Sequence, residues 1–249
     1  MHELPMQNDA IIKAVARDVE KLLANEGSGH DWQHIRRVWR TAVQLADMEG
    51  ADETVVALAA LLHDVDDRKL TGDATTAERL PTGRRIMAAA GVDPVLAETV
   101  CDTIKMTGFH KSIDGNQERT LEAHILSDAD QLDAIGAIGI ARTFVYGASK
   151  KRPMFDPDHF PMERFTAAEY DANKGSTVNH FFEKLLRLRG LMFTESGRIE
   201  AQTRHSRMVS FLDDFFEESF APPEWTDLLN KYRPGSLLED RTLMEKHEC

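Results

Sequence analysis

Three short stretches place ionisable side chains where an apolar helix would ordinarily continue. In "LAALLHDVDDRKL", residues 58–70, a leucine- and alanine-rich run ends in His63-Asp64 and is followed by Asp66, Asp67, Arg68 and Lys69. In "GSGHDWQHIRRVW", residues 27–39, the pair His30-Asp31 precedes His34. In "SDADQLD", residues 127–133, Asp128, Asp130 and Asp133 fall within two helical turns among apolar neighbours. Imidazole and carboxylate together, with no thiolate beside them, suit Zn²⁺, Mn²⁺, Fe or Ni. A metal would also explain why charged groups sit at a core boundary, since buried charge is tolerated when it coordinates an ion. In a chain with ten histidines, a single His-Asp pair carries little information. Taken alone, each stretch reads as a hydrogen-bonded histidine or a helix cap. Three such stretches on three core-facing helices point together to a metal. Spacing alone leaves open which histidines and aspartates are ligands, although His30 and His34, four residues apart, share a helix face.

Helical periodicity dominates and strand alternation is almost absent, so the expected fold class is all-α. A first helix is expected over 9–25 with Asn8 as cap, and a second over 31–49, stopped by Gly50. A third, over about 52–65, is apolar nearly all round and so reads as a buried central helix. A fourth, over 74–90, should break or kink at Pro81 and Gly83. Asp93 and Pro94 form a good helix start. The stretch from 120 to 147 reads as one long helix, with Gly136 and Gly139 permitting close approach of a neighbour. Residues 148–174, with Pro153, Pro157 and Pro161, read as one long irregular insertion, the kind of segment that often serves as a lid. "STVNHFFEKLLRLRGLM" and "SGRIEAQTRHSRMVSFLDDFFEESF" complete a helical bundle. The expected organisation is one domain over 1–220 and a tail over 221–249, opened by Pro222 and Pro223 and packed on the same domain.

The 249 residues carry 42% hydrophobic and 29% charged residues, an ordinary globular balance. No apolar run reaches the roughly 20 residues that span a bilayer. Two cysteines imply no disulfide framework, and the first residues lack a signal-peptide pattern, so the cytoplasm is the expected compartment. A net charge of −12 argues against nucleic acid or anionic membrane as a partner. It leaves room for a phosphorylated small molecule held by a metal or by a few lysines and arginines.

The order of His34 in "HIRRVW", His63-Asp64 in "ALLHD" and Asp130 in "ADQL" resembles the HD-domain superfamily of metal-dependent phosphohydrolases. The blocks "GHDWQHIRRVW", "AALLHDVDDRK", "SDADQLDAIGAIGIARTFVYG" and "STVNHFFEKLLRL" look like the small bacterial YedJ/YpgQ-type HD hydrolases over roughly three-quarters of the chain. The resemblance implies an HD-domain helical bundle with metal ligands His34, His63, Asp64 and Asp130. His30-Asp31 is then a decoy pair, with His30 in a supporting place or on a second ion. It also implies Asp67, three residues after the HD aspartate, as the group that orients or deprotonates the attacking water, where relatives often have Glu. Lys69, Arg142, His180 and Lys184 are the implied substrate-binding residues, and Lys105 is a weaker candidate.

The implied reaction is metal-assisted hydrolysis of a nucleotide, foremost a nucleoside or deoxynucleoside triphosphate to monophosphate and pyrophosphate. Nucleotidase or phosphodiesterase action would use the same ligands. An HD-type di-iron oxygenase, drawing on His30 and His110, and a nucleotide sensor without catalysis are the readings from other classes. The expected cofactor is a divalent ion (Mn, Co, Ni, Mg, Zn or Fe), and apolar residues near "FLDDFFEESF" suit a homodimer.

Overall fold

The computed structural model describes residues 6–24, 31–67, 71–73, 75–107, 119–162 and 175–235, and all regular structure among them is helical. His30, Lys69 and His110 lie outside the described residues, as do 163–174 of the irregular segment and 236–249 of the tail. The chain divides into two compact units, one of Met1–Asp130 with Phe193–Gly197, the other of Gln131–Met192 with Arg198–Cys249.

The first unit is organised around a helix with no polar face. Helices α1 (Met6–Leu22), α2 (Trp32–Glu49) and α3 (Glu53–Leu62) are followed by the short α4 (Thr76–Arg79), α5 (Pro81–Ala89), α6 (Pro94–Lys105) and most of α7 (Leu121–Asp133). Every residue of α3 from Thr54 to Leu62 is buried, and α1, α2 and α6 pack against it. Each buried leucine or valine stabilises this placement by roughly 2 kcal/mol. The interior position of α3 therefore also decides where His63 and Asp64 go. Caps set the register of the helices. Asp31 accepts the His34 N–H at the start of α2, Asp52 accepts those of Thr54 and Val55, and Asp93 those of Val95 and Leu96. Gly50 ends α2 in the left-handed conformation.

The second unit holds α8 (Gly136–Ser149), α9 (Glu195–Glu218, from Arg198 onward) and α10 (Pro223–Asn230). Its core is aromatic, with Phe144, Phe155, Phe181, Phe211, Phe215, Phe216 and Trp225 in mutual ring contact. Trp225 is fully buried, and its indole N–H donates to the Pro157 carbonyl at 3.0 Å. The described part of the tail is thus part of this unit's core. In "FLDDFFEESF", Phe211, Phe215 and Phe216 pack inside it, while Phe220 is exposed.

Several expectations about local structure need correcting. The helix expected over 120–147 is two helices, because Gly136 turns the chain at φ +76°. A side chain there would also press on Arg204, with Cβ 3.0 Å from its Cβ and Cγ. The stretch 177–192 is not one regular helix: a π-helical turn, Phe181–Leu185, runs into Leu186–Leu188 and a 3₁₀ turn, Arg189–Leu191. Asn8 lies within α1 and donates to the Thr54 hydroxyl at 3.1 Å instead of capping the helix. The break expected at Pro81 and Gly83 comes at Leu80, whose φ of 49° lets Pro81 open α5 at its first position.

Candidate metal centre

The end of α3 answers why an apolar helix runs into four ionisable residues. The chain continues through a tight turn whose side chains part in different directions. Val65 returns to the core. Asp66, 1% exposed, accepts the N–H groups of Thr82 and Gly83 at 3.1 and 2.8 Å and so caps α5. His63 and Asp64 join a different group of side chains.

That group comes from three helices of the first unit. His34, buried in the first turn of α2, places Nε2 3.4 Å from Asp64 Oδ2 and 3.5 Å from Asp130 Oδ1. His63 Nε2 lies 3.5 Å from Asp64 Oδ2 and 3.9 Å from Asp130 Oδ1. The imidazoles of His34 and His63 meet edge to face, with centroids 5.6 Å apart. One ligand atom each from His34, His63 and Asp130 falls within 4.8 Å of the others.

These separations exceed hydrogen-bond lengths of roughly 2.7–3.2 Å. They are close to the roughly 3–3.5 Å between neighbouring ligands that share an ion at about 2.1 Å. His63 makes the same point independently. Its Nδ1 lies 2.9 Å from the Ala60 carbonyl, which fixes the tautomer with the proton on Nδ1 and leaves a lone pair on Nε2. That buried Nε2 has no hydrogen-bond partner, as a buried polar atom rarely does. The donor set fits a divalent ion. With the Asp130 side chain half exposed, the group is open to solvent on that side.

The tertiary structure also sorts the three aspartates of "SDADQLD". Asp128 is fully buried and accepts the N–H groups of Phe193 and Thr194, each at 2.8 Å, and the Thr194 hydroxyl at 2.7 Å. Gly197 is needed there, since a Cβ would lie 2.3 Å from Asp128 Oδ2. Asp133 pairs with Arg142 in the second unit. Only Asp130 turns toward the histidines. Asp31 caps α2 through the His34 N–H at 2.8 Å, which accounts for Asp31 without metal chemistry.

The chain shares its outline with proteins already known. The HD-domain family profile matches residues 31–135. YpgQ of Bacillus subtilis is 32% identical over 195 residues, covering 78% of this chain and 86% of YpgQ. The chain belongs to the HD-domain superfamily. Among solved structures, an HD-superfamily hydrolase from Bacillus thuringiensis superposes with a TM-score of 0.69 at 33% identity, covering 86% of this chain and all of its own. YpgQ in complex with ADP superposes with a TM-score of 0.67 at 30% identity, covering 86% and 97%. HD domains bind divalent metals, and this HD chain belongs among the metal-dependent phosphohydrolases.

The other expected site residues fall as follows. Asp67 follows the turn, and its backbone N–H donates to the Asp64 carbonyl at 3.0 Å. Lys105 pairs with Asp102 on the exposed side of α6. In the second unit, His180 immediately precedes the π-helical turn and Lys184 lies within it. Burial lowers the His180 pKa to about 4, helped by the charges of Lys184 and Arg152, so its imidazole is neutral near pH 7. The Ala60 carbonyl and Arg152 have no place in the sequence reading. A backbone oxygen leaves no side-chain signal, and the charge of Arg152 bears on His180 only in the folded chain.

Proposed function

We propose that this HD protein is a nucleotide phosphohydrolase whose metal ligands are His34, His63, Asp64 and Asp130. The foremost reaction is hydrolysis of a nucleoside or deoxynucleoside triphosphate to monophosphate and pyrophosphate, with water added across the bond between the α- and β-phosphates. The observation that carries the reading is the convergence of these four side chains around a buried imidazole nitrogen with no hydrogen-bond partner. The complex of the relative YpgQ with ADP supports a nucleotide as ligand.

Bound there, a divalent ion supplies an acidified water and an electrophile for a phosphoryl oxygen. The protein's own contribution is preorganisation. The Asp31 cap holds the backbone of His34, and the Ala60 carbonyl holds His63 in the tautomer whose Nε2 donates a lone pair. Asp67, one short turn beyond Asp64, accepts the proton that the attacking water gives up. His180 and Lys184 bind substrate phosphate. Arg142, which pairs with Asp133, is the remaining substrate-binding residue of this reading.

Metal-stripped protein would be incubated with nucleoside and deoxynucleoside mono-, di- and triphosphates, adding Mn²⁺, Co²⁺, Mg²⁺, Ni²⁺ or Zn²⁺ in turn. Asp130→Ala runs alongside, and products are separated by chromatography. Metal-dependent release of pyrophosphate, abolished by Asp130→Ala, is the expected result. Release of inorganic phosphate would replace the pyrophosphohydrolase by a nucleotidase. No turnover across the panel would overturn the hydrolase reading.

A further inference from the structure

The first unit holds a second cluster of polar side chains, apart from the metal ligands and built on Phe193. The His124 imidazole stacks on the Phe193 ring, with centroids 4.7 Å apart and planes 5° from parallel. The Arg119 guanidinium carbon lies 5.1 Å from the centroid of the same ring. The start of a helix and one buried carboxylate bring the three together. Arg119 stands two residues before α7 and His124 in its first turn, where the Thr120 hydroxyl accepts the Ala123 N–H at 3.3 Å. Phe193 is tied to the same helix by its N–H, which donates to Asp128 at 2.8 Å.

Arg119 Nη1 is buried and has no hydrogen-bond partner. Among the described residues no carboxylate pairs with this guanidinium. Burial lowers its pKa, and no acidic charge opposes that effect. Glu122, the acid in the first turn of α7, accepts the Asp52 N–H at 3.3 Å instead. In a chain with 42 acidic residues against 30 lysines and arginines, a half-buried arginine left without one calls for a cause. Phe193 does not remove the need. A ring face attracts the cation but offers its five N–H groups no oxygen. Nor does His124, whose imidazole is kept neutral near pH 7 by burial and by the charge of Arg119. A neutral imidazole N–H and an unpaired guanidinium share one complement, a negatively charged group with several acceptor oxygens.

We propose that Arg119 and His124, set on Phe193, form a phosphate-binding site separate from the metal centre. The guanidinium fork gives two parallel N–H contacts to one phosphate, and the imidazole N–H a third. The Phe193 ring holds both groups and so lowers the ordering cost of binding. Six residues of α7 separate His124 from Asp130, about 9 Å along the helix axis, so a single phosphate group cannot occupy both places. The assignment does not depend on which reaction the metal centre carries out.

The competing role for Arg119 is packing alone, with its side chain covering Phe193. The test titrates inorganic phosphate and, separately, adenosine monophosphate into metal-stripped wild type, Arg119→Gln, Arg119→Lys and Asp130→Ala. Binding is read by calorimetry and by the NMR signals of the His124 imidazole. Wild type and Asp130→Ala should bind with equal affinity and show the same shift of the His124 signals. Arg119→Gln should bind roughly tenfold or more weakly, as loss of a charge-assisted hydrogen bond does, and Arg119→Lys should recover part of that loss. Affinity for adenosine monophosphate no greater than for inorganic phosphate would assign the site to the phosphate group alone, and tighter binding to a nucleotide. Thermal unfolding with Mn²⁺ should show the full metal-dependent rise in Arg119→Gln. Unchanged phosphate affinity in Arg119→Gln would leave packing as its role and overturn the proposal. So would a wild type in which neither probe moves the His124 signals, or loss of the metal-dependent rise in Arg119→Gln.

Discussion

Asp128 and Asp130 sit two residues apart on α7, and the structure gives them opposite duties. Replacing Asp128 by alanine removes an acceptor of three hydrogen bonds and strands the Phe193 and Thr194 N–H groups beside a new cavity. Hydrogen bonds to a charged group are worth about 1.5–3 kcal/mol each, and an orphaned buried donor costs about 1–3 kcal/mol. Allowing for non-additivity, Asp128→Ala should destabilise by about 3–5 kcal/mol. In a chain of this size that lowers the melting temperature by roughly 6–20 °C. Asp130→Ala has no such network to lose, and its half-exposed side chain leaves little cavity. What it should lose is the metal. With the ion at 100 times its dissociation constant, binding to the native state alone stabilises by about 2.7 kcal/mol. The assay is thermal unfolding of each metal-stripped variant, with and without added Mn²⁺. Asp128→Ala should melt early and keep its metal-dependent rise, while Asp130→Ala should melt near metal-stripped wild type and show no rise. A full metal-dependent rise in Asp130→Ala, or a wild-type melting temperature in Asp128→Ala, would refute the division of roles.

Two further outcomes follow from the second unit. The His180 pKa falls to about 4 in the folded protein from an ordinary 6.5, so as pH drops through that interval the unfolded chain takes up a proton that the folded chain does not. Stability should therefore fall with decreasing pH between about 6.5 and 4, and His180→Asn should flatten that part of a denaturant-unfolding pH series. Gly147→Ala should destabilise by about 1–3 kcal/mol, because its Cβ would clash with the Thr177 side chain. Combining it with Thr177→Ala should recover part of the loss, and strictly additive effects would mean that the contact is not there.

The all-helical class was legible because the periodic apolar stripes of α1, α2 and α6 are local, as are the caps Asp31, Asp52 and Asp93 that start helices. So was the burial of α3, since a helix with no polar face has no other stable place. The order of His34, His63-Asp64 and Asp130 along the chain pointed to the HD family before any geometry. Other features could not be read that way. The periodic pattern makes Gly136 a packing glycine within one helix, yet its conformational freedom is used to end α7 and start α8. The turn around His180 departs from an α-helix although its sequence is an amphipathic helical one.

Local pattern was enough to identify the residue types that can hold a divalent ion, the helices that carry them and the family to which they belong. Tertiary structure decided the division of labour among like residues. Asp128, Asp130 and Asp133 share a helix and a chemistry, and only their positions around the helix axis make one the anchor of Phe193 and Thr194, one a partner of the imidazoles and one the partner of Arg142. The tautomer of His63 is set by a carbonyl three residues earlier. Spacing along a chain records which groups can share a helix face, whereas hydrogen bonding and coordination depend on distances that only the folded backbone sets.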